Sequence, residues 1–507
     1  MLTLSMIVKN EERYLRDCLD SVEGVADEIV LVDTGSTDNT IEIAKEHKAK
    51  IFNYEWNDDF SSARNFALEQ SSGDWILYMD ADERLADSSK RDIKNLTMIK
   101  SKTAYYCTVK SIDEVNGRPS VMNYVRLFPN DKSIRFTGRI HEQIENSLID
   151  QNYTLKDSSI VIEHLGYNLS NEQLKEKAAR NLHLLKKEYE KNPSPYFAFQ
   201  LGQTYGILND KRNAETFFQI SLNDKKLKPE YLSVANRYLS VNSAERGEWD
   251  NALEYIKKSL AADETQPVAL IVAAKIYYRL NKIDEAKIYC KQAYRMNEEF
   301  SSGTRSSYQA ILLDKKTILD ECINISAGLN DKESFKYFYN EYRTYKNELH
   351  KNDNDLNAEF FNHLFDNISI SEIDLSKYKE SIKSEDQVNI IIGLLENYSH
   401  SKTKQSLFEI LCDKFPSNIA ALNKYARLLL KNNEFMKAEE ILERLLSLND
   451  PDPSIVFYLV SVYLNNDNNS KILPLIGSAE KRYESNLVLR QKVNLLRDKL
   501  SRFLVEI

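Results

Sequence analysis

The chain has 507 residues, enough for roughly three domains and a large core. A formal charge of −9 with both signs mixed excludes a basic surface built to coat nucleic acid. Only 13 glycines and 10 prolines occur, which excludes a collagenous or low-complexity chain and favours helix. Cys18, Cys107, Cys290, Cys322 and Cys412 are scattered with no CxxC pair, so they read as reduced thiols of a cytoplasmic protein. The opening MLTLSMIVKNEE lacks the basic leader and long apolar stretch of a secretory signal. No apolar run is long enough to predict a membrane span.

Leu2–Val8 predicts a first strand, followed by Asn10 as a candidate helix N-cap with Glu11 and Glu12 in the first turn. Glu28–Asp33 predicts a second strand that ends in an aspartate, and TGSTDNT leads into a helix through Ile41, Ile43 and Ala44. Lys50–Tyr54 predicts a third strand. Ser61 then reads as the cap of a helix that turns Ala63, Phe66 and Ala67 inward. With that cap, Arg64 falls at the third helical position, where a cation opposes the helix dipole. A residue against a local rule is a candidate for function; a surface arginine paired with Asp58 or Asp59 is the alternative.

Trp75–Met79 is an apolar run typical of a strand buried on both faces, and it breaks into Asp80, Ala81, Asp82 and Glu83. Residues two apart in extended chain point the same way, so Asp80 and Asp82 can present two carboxylates together. Such a pair repels unless one is protonated or a cation lies between, and magnesium or manganese meets that need. An acidic turn capping a core strand is the other reading. Strands alternating with helices predict a parallel sheet with the ligand outside the carboxyl ends of its strands, where Asp33 and Asp80 stand. Neither GxGxxG nor GxxxxGKS occurs, so the dinucleotide fingerprint and the P-loop are absent.

Asn171–Tyr189 predicts one long helix. From Tyr196 the pattern changes, with Ala214, Ala252 and Ala286 recurring at intervals of 38 and 34 residues. That period implies stacked helix pairs, suited to extended peptides or to self-association as a homodimer. Residues 301–400 are helical but resist phasing; Tyr425, Ala426 and Ala438 mark a clearer unit, and Lys481–Leu504 predicts a capping helix.

KNEE, VDTGSTDNT, DDFSSARN, WILYMDADE, the stretch Met122–Ile144 ending in GRIHEQI, and IEHLGYN at Ile162–Asn168 occur in that order. Together they resemble family 2 glycosyltransferases over roughly the first 170 residues. With helical repeats behind them, they most resemble the sublancin-type peptide S-glycosyltransferases. The resemblance implies an α/β GT-A nucleotide-sugar domain over residues 1–170 and a connecting helix over 171–195. Tetratricopeptide-like repeats would follow over 196–300, an irregular helical region over 301–400, and further repeats over 401–507. It also implies a UDP-sugar donor, a magnesium or manganese ion, and a peptide or protein acceptor with a Cys or Ser/Thr side chain.

By the same resemblance, Val8, Asn10 and Glu11 would line the base pocket, and Asp33 would bind uracil or its neighbourhood. Arg64 would hold the base or phosphate side. Asp80, with Ala81, would face ribose or sugar, and Asp82 and His164 would ligate the metal. Glu142 would be the general base, with His141 as the alternative base or its orienting neighbour. QxxRW, common in processive polysaccharide synthases, is absent, which disfavours that activity. Transfer to a lipid-linked or cell-wall polysaccharide, and a non-catalytic repeat scaffold, are the rival readings.

Overall fold

A computed structural model describes residues 1–98, 101–111, 120–165, 170–223, 227–304, 309–349, 358–448, 453–482 and 493–497. It divides into two compact units, Met1–Cys322 and Ile323–Ile507. The division therefore falls inside the stretch that resisted phasing.

The first unit is built on one mixed sheet. β1 (Leu2–Val8), β2 (Glu28–Asp33), β3 (Lys50–Asn53) and β4 (Trp75–Tyr78) are joined through α1 (Leu15–Ser21), α2 (Thr40–Glu46) and α3 (Phe60–Gln70). They pair in parallel in the order β3-β2-β1-β4. Leu4, Val30, Leu31, Val32, Ile76 and Leu77 are all fully buried, as strands covered on both faces require. β5 (Glu83–Leu85) follows, then α4 (Lys90–Thr97), β6 (Thr103–Ser111), β7 (Ser120–Pro129), α5 (Glu145–Asp150) and β8 (Thr154–His164). Beyond β4 the sheet is mixed, with β6 and β8 parallel and the other pairings antiparallel. β6 and β7 are only eight residues apart, too few for a crossover, so they pair antiparallel; β7 is antiparallel to β4 as well.

Two helix starts differ from expectation. α1 begins at Leu15, not after Asn10, because Asn10 adopts a left-handed φ of 56° and its side chain accepts the Thr37 N–H at 2.8 Å. α3 is capped by Asp59, not Ser61: Asp59 is extended, and its Oδ1 accepts the Ser62 N–H at 3.0 Å and the Ser61 hydroxyl at 2.7 Å. Arg64 therefore lies two residues deeper into the helix, beyond the first turn where the dipole acts most strongly.

Helices follow as α6 (Asn171–Lys191), α7 (Pro195–Ile207), α8 (Lys211–Ser221), α9 (Pro229–Glu245), α10 (Trp249–Ala262), α11 (Pro267–Arg279) and α12 (Ile283–Ser301). Ser170 caps α6 in a reciprocal box with Gln173, and Ser194 caps α7 ahead of Pro195. Ala214, Ala252 and Ala286 are fully buried, small enough for paired helices to close over them. The chain then returns to the sheet: β9 (Gln309–Ile311) pairs antiparallel with Ser120–Met122 of β7. β6 occupies the other edge of β7, so β9 lies in line with β4 along one edge. Between them Asn123–Arg126 have no strand opposite among the described residues. α13 (Lys315–Gly328) follows β9.

The second unit is helical, from α14 (Lys332–Leu349) and α15 (Ala358–Phe365) to Ile472–Arg482. Tyr425, Ala426 and Ala438 are buried in it, on helices Ile419–Lys431 and Phe435–Ser447. Residues 493–497 are helical, and the rest of the expected capping helix beyond Arg482 lies outside the described residues.

Gly73 precedes β4 where its chain crosses β1. A Cβ there would lie 2.6 Å from Thr3 Oγ1 and 2.9 Å from the Met1 carbonyl oxygen. Gly73→Ala is expected to cost about 1–3 kcal/mol of unfolding free energy, as overpacking does, measured by urea denaturation.

Candidate active site

The carboxyl ends of β1, β2 and β4 open at one edge of the sheet, and their exits are tied together by short polar bonds. The Val8 carbonyl accepts from the Thr34 N–H at 3.0 Å, the Asn10 N–H donates to Ser36 Oγ at 3.0 Å, and the Glu11 N–H to Thr40 Oγ1 at 2.7 Å. Asp33 turns its carboxylate back onto the Gly35 and Ser36 N–H groups at 3.1–3.2 Å, fixing the turn after β2. Val8 and Asp33 are buried. Glu11 stands nearer the acidic mouth: burial pushes its carboxyl up to about 7, and the charges of Asp82 and Asp80 push the same way.

Arg64 joins two carboxylates that the sequence leaves unconnected. Its Nη2 donates to Asp80 Oδ1 at 2.8 Å and its Nε to Glu142 Oε1 at 2.5 Å. Its guanidinium carbon also lies 5.1 Å from the Tyr78 ring centroid and 5.7 Å from that of Phe136. The surface pairing with Asp58 or Asp59 does not form. The neighbours of Arg64 on α3 have matching jobs. Ala63 is fully buried, and Asn65 exchanges two hydrogen bonds with the Phe136 backbone at 2.8 and 3.0 Å. Burial opposes the charge on Asp80, but Arg64 and then Arg126 outweigh it and hold that carboxyl well below its usual range.

Asp82 and His164 lie side by side. His164 Nε2 lies 3.3 Å from Asp82 Oδ2, and Ser111 Oγ is 3.2 Å from its Nδ1. β5 and β8 set this approach, with Glu83 opposite His164 and the Asp82 carbonyl accepting the Leu165 N–H at 2.9 Å. An imidazole and a carboxylate, the imidazole oriented through its other nitrogen, suit a divalent cation, with manganese better matched to the nitrogen ligand than magnesium. No cluster of three or more His, Cys, Asp or Glu side chains suited to a metal occurs among the described residues, so further ligands would come from phosphate oxygens and water. Ala81 is buried, and its carbonyl accepts from Arg84 Nη1 at 2.9 Å.

The facing wall is the loop 138–142, closed by reciprocal backbone bonds of 2.9 Å between Thr137 and Gln143. Gly138 (φ 97°) and His141 (φ 53°) give the loop its tight course. Glu142 turns in to Arg64 with its side chain 13% exposed, while His141 is exposed. The repeat helices brace this loop. Tyr196 donates to the His141 carbonyl at 3.3 Å, the Arg139 N–H to Glu188 at 3.3 Å, and Lys228 pairs with Glu145 at 2.7 Å.

Asp80, Asp82, His164, Arg64 and Glu142 are thus brought together; Asp33 serves its own turn, Asn10 ties the exit of β1 to the loop after β2, and Gly166, Tyr167 and Asn168 of the last motif lie outside the described residues. Sequence reasoning missed Ser111 and Arg126. The NYVRLFP motif contains Arg126, but strand alternation alone does not say which face it takes.

Removing the shared cation should be costly. Arg64→Met is expected to lose roughly 2–4 kcal/mol in denaturant melts, below the full cost of breaking a buried pair because Asp80 keeps some solvent contact. Glu11 keeps its proton when folded at pH values where the unfolded chain has lost it, so it lowers stability as pH rises from about 4.5 to about 7. In chelator, Glu11→Gln should raise the melting temperature at pH 8 and leave it near wild type at pH 4.5.

Comparison with known proteins agrees with this geometry. Residues 3–152 match "Glycosyl transferase family 2", and residues 268–300 match "Tetratricopeptide repeat". A TPR repeat-containing protein of Synechococcus elongatus is 30% identical over 266 residues, 51% of this chain and 66% of that protein. The SPbeta prophage-derived glycosyltransferase SunS of Bacillus subtilis is 30% identical over 232 residues, 44% of this chain and 54% of that protein. The chain thus spans between half and two thirds of the length of these two relatives. Among solved structures, S. aureus TarS is 16% identical, with 50% of this chain and 54% of that chain covered and a TM-score of 0.27. Glucosyl-3-phosphoglycerate synthase from Mycobacterium tuberculosis is 17% identical, with 34% and 75% covered and the same TM-score of 0.27. At those scores neither structure adds to the topology described above. Over residues 3–152 the chain is thus similar to glycosyl transferase family 2, and over residues 268–300 to a tetratricopeptide repeat.

Proposed function

We propose that the chain is an inverting, metal-dependent glycosyltransferase that moves a sugar from a UDP-sugar to a peptide or protein side chain. The observation that carries this reading is the Arg64 bridge, which holds Asp80 beside the cation pair and Glu142 on the facing wall. Donor and acceptor chemistry need such a fixed separation, since inversion is one in-line displacement at the anomeric carbon.

On the donor side, Asp82 and His164 would hold the divalent cation, whose bound charge would stabilise the departing diphosphate. Asp80 would accept a hydroxyl of the sugar or ribose, and Val8, Asn10, Glu11 and Asp33 would bound the base pocket. Asp33 spends its carboxylate on its own turn, so it would contribute chiefly shape there. Glu142 would take the acceptor proton through Oε2, the oxygen that Arg64 leaves unbonded. His141, exposed at the next position, is the alternative base.

The peptide reading draws support from the bracing of the Glu142 loop by α6, α7 and the approach to α9, which sets repeat helices beside the acceptor wall. SunS, a glycosyltransferase by name, shares 30% identity across the matched region. Glu142→Gln is expected to reduce transfer at least about a hundredfold while leaving UDP binding with manganese intact, by turnover assay and calorimetry. Turnover near wild type would move the base to His141. Lipid-linked acceptors run beside peptides in that assay decide between the two acceptor classes.

A further inference from the structure

Arg126 adds its charge to the field that keeps Asp80 ionised, and its placement is more specific than that service requires. Tyr105 pairs with Leu127 and Tyr106 with Val125, so Arg126 is an extra residue in β7 with no partner on β6. A bulge of this kind re-aims the side chain it carries. The guanidinium carbon lies 4.3 Å from the Tyr78 ring centroid, and Nη2 donates to Glu83 Oε1 at 2.6 Å, with both side chains buried. Nε and Nη1 are also buried and have no hydrogen-bond partner.

Glu83 is the link from this arginine to the cation pair. Its other oxygen, Oε2, accepts the Asp80 N–H at 2.8 Å. Its backbone pairs with His164 across the β5–β8 ladder, and it directly follows Asp82. Glu83 therefore reaches the start of the Asp80-Ala81-Asp82 turn with its side chain and His164 with its main chain.

As a device for stability alone this pair is poor. It buries two charges and leaves two donors unsatisfied, where an apolar pair of the same volume would serve as well or better. A gain in positional definition accounts for the arrangement. Where β4 has ended and β9 has not begun, no strand among the described residues pairs with that edge of β7 to hold the turn.

We infer that Arg126, acting through Glu83, is a positioning residue that fixes the Asp80–Asp82 turn against His164 and thereby sets affinity for a metal-bound nucleoside diphosphate. This rests on the donor reading proposed above. It places a requirement on residue 126 that neither the metal pair nor the base imposes.

The test uses the full chain with UDP and manganese chloride as probes, binding read by calorimetry and folding by melting temperature. Glu83→Gln, Arg126→Lys, Arg126→Met and the double variant Glu83→Gln/Arg126→Met are compared with wild type. Arg126→Met is expected to weaken manganese-dependent UDP binding about 10–100-fold, the usual effect of removing a group behind a metal ligand. The double variant should regain melting temperature over Arg126→Met, since no charge is left unpaired, and yet bind UDP as weakly. Arg126→Lys should recover part of the binding. If Arg126→Met fails to fold, the double variant and the near-isosteric Glu83→Gln decide. Wild-type-like UDP binding in any folded variant lacking the pair overturns this inference alone. Absence of UDP binding in wild type overturns the donor reading and this inference with it.

Discussion

A single buried cation organises the catalytic end of this protein. Arg64 is shared between Asp80, at the exit of β4, and Glu142, on a loop 78 residues beyond Arg64 itself. Glu142 is largely shielded from water and Asp80 only partly, and the guanidinium fork is the side chain that can serve both with separate nitrogens. The consequence is geometric as much as electrostatic. The planar group fixes the distance between two carboxylates, and the rings of Tyr78 and Phe136 fix the plane. Asn65 binds the Phe136 backbone from the same helix, so the ARN triplet works as one unit: close packing, bridge and anchor.

Much of this half was legible in the sequence, and for identifiable reasons. Strands buried on both faces announce themselves as apolar runs, so β1, β2 and β4 and the aspartates at their ends were placed closely. Asp82 and His164 each fall in a motif visible in the sequence, and the fold brings them within 3.3 Å although 82 residues separate them. Local capping was less legible. Asp59 and Ser61 are both good caps, and the choice of Asp59 depends on an extended backbone that composition does not report. The role of Arg64 was half visible: its presence on a helix was an anomaly under the wrong cap, and its true partners lay beyond any local window. Arg126 was illegible for a different reason, since a bulge is a property of pairing between strands and leaves no mark in one strand's alternation.

The repeats show a similar contrast. Alanines at the helix crossings exposed the period up to residue 300, but the next stretch lacks them at readable offsets. The backbone supplies another marker. Asn209, Gly247 and Asn281 take left-handed conformations at successive turns, then Asn330 and Asn367, then Asn433 and Asp467. Intervals of 38 and 34 residues separate the first three, and 37 and 34 separate the later pairs, so the period persists. From Asn281 to Asn330 it stretches to 49, and the excess falls where β9 is inserted. Asparagine tolerates this conformation because its short amide can bond locally, which makes such asparagines the phasing signal that alanine failed to provide.

That insertion changes what counts as a part. β9 is a strand of the catalytic sheet encoded after three pairs of helices, α7/α8, α9/α10 and α11/α12. Those pairs are therefore enclosed between sheet strands in sequence, like an insert within one domain. A chimaera joined at residue 170 or at 300 would inherit a sheet missing a strand or an array carrying an orphan one. Exchange between relatives would have to move the sheet and the enclosed helix pairs together, and sequence drift in those helices would be confined to surfaces that leave the closing strand in register.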